Sequence, residues 1–124
     1  MNDKKDLERL QEFMDNTCSW SDKEFDNSNF TKERSIPILY HLKEEVDELI
    51  YALKLYFELP NEELFRESKY ELADCMTLLL DCATHMGLKA EDVMRVCEKK
   101  LNINKKRTWA PADENGVCRH VELN

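Results

Sequence analysis

Glycine and proline are scarce in this chain of 124 residues: there are two glycines, Gly87 and Gly116, and three prolines. So little turn chemistry excludes a many-stranded β fold and suits long helices joined by a few loops, so the expected class is all-α. No apolar run approaches the ~20 residues a membrane span requires. The charged start MNDKKDLERL has no signal-peptide core. A cytoplasmic location with no membrane partner is therefore expected. Positive charge is also short. Eighteen basic against 26 acidic residues, a net charge of −8, exclude a phosphate-backbone groove as the main purpose, and with it a nucleic-acid partner. A compact anion can still be held through a metal ion. The cysteines Cys18, Cys75, Cys82, Cys97 and Cys118 are odd in number and contain no CxxC pair. They read as reduced thiols, most of them small core residues, rather than a disulfide framework or a zinc knuckle.

What is present is helical periodicity. At this length one domain over residues 1–124 is expected, and a core this small gains from oligomerisation. Leu7, Leu10, Phe13 and Met14 predict a short amphipathic helix from about Asp6 to Cys18, ending before Trp20. The mixed stretch from Trp20 to Ser35 reads as an ordered loop, with Ser35 as N-cap and Pro37 in the first turn of a second helix. That helix runs to about Leu59 on the stripe Ile38, Leu42, Val46, Leu49, Leu53 and Phe57. Pro60 and Asn61 break it. A third helix then runs to about Met86, burying Leu64, Leu72, Cys75, Met76, Leu79, Cys82, Ala83 and Met86, with Gly87 closing it. A fourth covers about Lys89 to Arg107, and the residues after Trp109 read as a tail with a turn at Glu114, Asn115 and Gly116. The expected architecture is a four-helix-bundle-like core with a short N-terminal helix and a C-terminal tail, completed by oligomerisation.

Acidic residues are not scattered evenly over these helices. At ~100° per residue, Glu45 and Glu48 lie together beside one edge of the apolar stripe of the second helix. Glu44 faces the same side less directly and ranks as accessory. On the third helix Glu71 and Asp74 repeat the i, i+3 spacing on the same rotational side. Carboxylates gathered this way repel and resist desolvation unless a cation neutralises them. An all-oxygen set suits Mg²⁺, with Mn²⁺ able to substitute. EExxE alone is commonly a solvated helix face; its pairing with ELAD on a largely apolar helix is what turns the balance toward metal. The fourth helix adds Lys100, Asn104 and Arg107, which continue the side marked by Val93, Val96, Cys97 and Leu101 where apolar residues would normally follow. Two cations and an amide can clamp phosphate oxygens, although basic residues at a helix C-terminus also complement its dipole. His41, one turn before Glu45, falls on the carboxylate face, and Trp20, Phe30 and Trp109 are candidates to stack on a base or to anchor loops. Asp81 suits an interhelix hydrogen bond or a solvated position better than a ligand role.

With these residues in view, the chain resembles the MazG-like all-α nucleoside triphosphate pyrophosphohydrolases. The likeness spans roughly Trp20 to Trp109 and rests on EExxE, then ExxD (Glu44, Glu45, Glu48, Glu71, Asp74), then Lys100, Asn104 and Arg107 in KLNINKKRTW. It is strongest toward the small phage and bacterial branch described as dATP/dGTP pyrophosphohydrolases. The resemblance implies Mg²⁺-dependent hydrolysis of (deoxy)nucleoside triphosphates to monophosphate and pyrophosphate, in nucleotide-pool control or house-cleaning. It implies Glu45, Glu48, Glu71 and Asp74 as metal ligands, and Glu44 as a ligand of an additional ion or the group that orients the attacking water. Lys100 and Arg107 would act in catalysis and, with Asn104, on the substrate, to which the residues' own chemistry and placement add Trp20 and His41 as candidates. It also implies a homodimer or homotetramer.

Two rivals remain. A di-iron carboxylate bundle needs Glu-x-x-His, but Ile38, Cys82 and Val117 precede His41, His85 and His120 by three positions, so that motif is missing. A non-catalytic helical nucleotide-binding or interaction protein stays open; against it stands the intact set of carboxylates with Lys100, Asn104 and Arg107.

Overall fold

The computed structural model describes residues 3–25 and 32–122. Its elements are α1 (Asp3–Glu24), a 3-10 turn (Lys32–Arg34), α2 (Ser35–Glu58), α3 (Glu62–His85) and α4 (Ala90–Lys105). There is no named strand among the described residues. The chain divides into two compact units, Met1–Glu91 and Asp92–Asn124.

In the first unit α2 and α3 form an antiparallel hairpin, and α1 packs on α3. The turn between α2 and α3 follows from three residues. Pro60 cannot continue α2, and Asn61, extended at φ −153° and ψ 164°, caps α3 by accepting the Leu64 N–H on Oδ1 at 2.9 Å. Glu62 and Glu63 place negative charge at the positive end of the helix dipole. At the other end the Gly87 N–H donates to the Thr84 carbonyl (2.9 Å) and the Leu88 N–H to that of Ala83 (3.0 Å). These are the two bonds of a Schellman motif, which needs the left-handed φ of +87° that Gly87 supplies.

Two expected boundaries are corrected. α1 does not stop before Trp20 but continues to Glu24, because its inward face there is polar. Met14, Cys18 and Ser21 are buried at helical spacing, so the periodicity continues in residues that do not read as apolar. Ser35 is not the N-cap of α2. The 3-10 turn feeds straight into the helix and puts helical Arg34 at the boundary, with no side-chain cap; Ser35 Oγ donates across to the Cys82 carbonyl at 3.5 Å. Residues 26–31, and with them Phe30, lie outside the described residues.

The core is thinner than the apolar stripes suggest. Cys75, Cys82 and Ala83 are buried on α3, but Leu72, Met76, Leu79 and Met86 are exposed, as are Val46, Ile50 and Phe57 on α2. On both helices the exposed apolar strip lies on the flank away from the acidic residues.

In the second unit, α4 is followed by a chain that folds back on itself. Trp109 and His120 form an isolated antiparallel bridge, the Ala110 N–H donates to Arg119 and the Val121 N–H to Thr108. Asp113 holds the turn, its carboxylate accepting the Asn115 and Val117 N–H groups and the Arg119 guanidinium. The turn expected at Glu114, Asn115 and Gly116 is there, with Gly116 at φ +81°. Val96, Cys97 and Leu101, expected on the buried side of α4, are exposed.

Candidate metal centre

The middle of α2 faces the middle of α3, and this juxtaposition brings the sequence's acidic pairs together. Glu45, Glu71 and Asp74 each offer a carboxylate oxygen, all within 4.8 Å of one another. Glu48 lies against both Glu45 and Glu71. Burial pushes the Glu45 carboxyl above the ordinary carboxylate range, with Glu48 and Asp74 adding repulsion and His41 opposing it. Burial likewise raises Glu71, helped by Glu48 and Asp74 and further by Glu67. Oε2 of Glu45 and Oε2 of Glu71 are buried with no hydrogen-bond partner.

That last observation tests the fit of a cation. A buried carboxylate oxygen without a donor costs free energy, and carboxylates gathered within 4.8 Å of one another cost more through repulsion. A divalent ion placed among these oxygens would neutralise the repulsion and occupy the vacant lone pairs. Oxygen donors alone, with no sulfur or imidazole in the set, suit a hard cation.

The other singled-out residues stand as follows. His41 Nε2 is 3.2 Å from Glu45 Oε1, so His41 touches the carboxylate set. Glu44 is exposed on α2 and outside the three converging oxygens. Trp20 is exposed on α1, edge-on to Phe25 at 5.4 Å between ring centroids. In the second unit Arg107 Nη1 donates to Asn104 Oδ1 at 3.1 Å, and Trp109 Nε1 to the Asn104 carbonyl at 2.9 Å. Arg107 and Asn104 are thereby held as a pair at the end of α4, and Lys100 extends into solvent on the same helix. Trp109 packs edge-on to His120, which makes it an anchor of the hairpin.

A second polar cluster escaped the sequence analysis. His85, wholly buried, has Nδ1 2.8 Å from the Asp81 carbonyl and Nε2 2.9 Å from Asp22 Oδ1. Ser21 Oγ donates to Asp81 Oδ2 at 2.7 Å. Cys18 Sγ lies 3.9 Å from His85 Nε2 and 3.7 Å from Asp22 Oδ2. The Cys18 thiol is pushed up to about 12 by burial, with Asp22 and Asp81 adding to it, so it stays protonated and is a poor nucleophile. This cluster ties α1 to α3. The interhelix hydrogen bond expected of Asp81 is among its contacts. Its signal in the sequence was the spacing of Cys18, Ser21 and Asp22 against Asp81 and His85, which has no meaning until α1 is known to lie on α3.

The model of a family described as dATP/dGTP pyrophosphohydrolase matches residues 13–124. A curated protein of Cyanophage S-2L described as "dATP/dGTP diphosphohydrolase" is 39% identical over 80 residues, 64% of this chain and 62% of that relative. No solved structure matches the chain. With the family model covering residues 13–124, nearly all of the chain, the protein belongs to the dATP/dGTP pyrophosphohydrolase family.

Proposed function

We propose that this protein hydrolyses deoxynucleoside triphosphates between the α- and β-phosphates, releasing monophosphate and pyrophosphate, with Mg²⁺ held by Glu45, Glu48, Glu71 and Asp74. The observation that carries the proposal is the pair of buried, donorless oxygens on Glu45 and Glu71, whose vacant lone pairs a cation would fill. An ion held by Glu45, Glu48, Glu71 and Asp74 would supply Lewis-acid stabilisation of the negative charge on phosphate oxygens. The chain's own groups do the rest. Glu44, on the solvent side of the same helix turn, orients the attacking water, and a neighbouring carboxylate accepts its proton. The water oxygen bonds to the α-phosphorus as the bridging oxygen departs with pyrophosphate. Lys100, Asn104 and Arg107 bind phosphate oxygens, His41 sets the orientation of Glu45 toward the substrate, and Trp20 contributes at the nucleotide's edge.

The exposed apolar flanks of α2 and α3 are covered by a second copy of the chain, so the working unit is a homodimer or a homotetramer of domains spanning residues 1–124. Removal of unwanted triphosphates from the cytoplasmic nucleotide pool is the role that fits this chemistry.

The deciding experiment is product analysis by chromatography after incubation with each dNTP and Mg²⁺, with EDTA as the comparison. Monophosphate and pyrophosphate are expected, and none with EDTA. Diphosphate with orthophosphate as the main products would sink the mechanism.

A further inference from the structure

Beside the carboxylates the α2–α3 hairpin carries a cleft of about 480 Å³, and two of its lining residues, Glu48 and Glu71, belong to the acidic set already described. Ala52 and Leu55 line it with apolar surface. Tyr51 from α2 and Tyr70 from α3 stand at its sides, and Asp47 and Glu67 are its remaining acids. The tyrosines are 66% and 67% exposed, so both rings are open to a ligand. The cleft volume falls within the range of small-molecule sites, where apolar walls hold a ring and a few polar groups fix its orientation.

We infer that this cleft receives the base of the nucleotide, sandwiched by Tyr51 and Tyr70 and read along its N–H edge by the carboxylates of Asp47 and Glu67. The inference rests on the hydrolase reading above for which end of the substrate lies at the carboxylates. Tyr51 follows Glu48 by three residues and Glu67 precedes Glu71 by four, so each lies about one helical turn, ~5 Å, from an acidic residue of the metal centre. With the phosphates at that centre, the deoxyribose spans one turn and the base falls between the rings. Tyrosine offers a π face to any base and loses little entropy in doing so. Carboxylates only accept hydrogen bonds. They therefore favour bases that present amino and imino donors: guanine, with adjacent N1–H and N2–H₂, pairs with a carboxylate through two bonds. Adenine and cytosine offer one amino group, and thymine a single imino N–H. The cleft thus prefers guanine and disfavours thymine, whose single imino N–H lies between two carbonyl oxygens that a carboxylate repels.

The test separates this inference from the hydrolase reading by measuring binding as well as turnover on the full chain. Calorimetry with deoxyguanosine monophosphate, thymidine monophosphate and deoxyribose 5-phosphate in Mg²⁺ is the first arm. Binding is expected to fall in that order of the two nucleotides, with the base-free sugar phosphate weakest. Tyr51→Ala and Tyr70→Ala should each weaken deoxyguanosine monophosphate about 10-fold, in line with the worth of one base stack, and leave deoxyribose 5-phosphate unchanged. Tyr51→Phe and Tyr70→Phe should bind like the parent, which guards against a folding defect. In the second arm, Tyr51→Ala should raise KM for dGTP about 10-fold with kcat within twofold, and Glu63→Gln, outside the cleft lining, should change neither. Base-dependent binding that the tyrosine variants lose, in a chain with no turnover, would uphold the cleft and reject the hydrolase. Turnover with KM and binding indifferent to both alanine variants would overturn the cleft and leave the hydrolase standing, as would equal losses on the base-free sugar phosphate.

Discussion

Glu71 and Asp74 sit one turn apart on α3, and removing their charge tests ligand chemistry because Gln and Asn keep shape and helix compatibility. Glu71→Gln and Asp74→Asn are each expected to lower turnover at least ~100-fold, the weight of metal and electrostatic terms in phosphoryl transfer, with unchanged helical circular dichroism. Glu63→Gln, exposed in the first turn of the same helix, serves as the control. The pH dependence has a definite sign. Glu45 and Glu71 are raised above the ordinary 4.5 in the folded protein, so the fold favours their protonated forms. Without metal, that contribution is fully present below pH 4.5 and is lost as pH rises through the raised folded values. The metal-free parent should therefore lose Tm relative to Glu71→Gln as pH climbs from 4.5 toward neutrality. Added Mg²⁺ should close the gap by stabilising the parent. A Tm difference that stays constant across this range would mean that Glu71 does not titrate against its neighbours.

Elements are held in place by groups outside the carboxylate set, and their removal should affect stability first. Asp81 is 2% exposed and joins Ser21 and His85 between α1 and α3. Asp81→Ala takes the carboxylate acceptor from the Ser21 hydroxyl, while His85 Nδ1 keeps the backbone carbonyl of position 81, and should cost about 2 kcal/mol in chemical denaturation. Asn61→Ala removes the cap of α3 at about 1 kcal/mol. Gly87→Ala should cost about 1 kcal/mol too, through the backbone alone: a Cβ there would meet nothing within 4 Å, but φ is +87°. Loss of activity from Asn61→Ala out of proportion to its stability would show that the hairpin turn does more than connect.

At the scale of the whole molecule, the exposed strips of α2 and α3 are where the proposed assembly can be tested. Val46, Ile50, Leu72, Met76 and Leu79 lie on the flank opposite the acidic residues, so a partner can cover them without blocking the metal centre. Light scattering on the parent should give a dimer or tetramer mass. Ile50→Glu with Met76→Glu should shift it toward monomer and lower Tm, while a mass unchanged by both substitutions would place the interface elsewhere. A monomeric, fully active parent would refute the assembly.

Much of this was legible in the chain itself. The scarcity of glycine and proline and the 3.6-residue periodicity of the apolar positions determined the helical class and nearly all of α2, α3 and α4, because local propensity, capping residues and pattern agree there. The i, i+3 acidic pairs were equally legible, since rotational position on a helix follows from numbering alone. Distances across helices do not. Only tertiary packing decided that Glu45, Glu71 and Asp74 converge, that two buried oxygens lack donors, and that α1 runs on through Trp20 to Glu24. The last depended on Ser21 and Asp22 finding Asp81 and His85, residues about sixty positions away. A polar residue is recognisable as an inward-facing one only when its hydrogen-bond partner is in place.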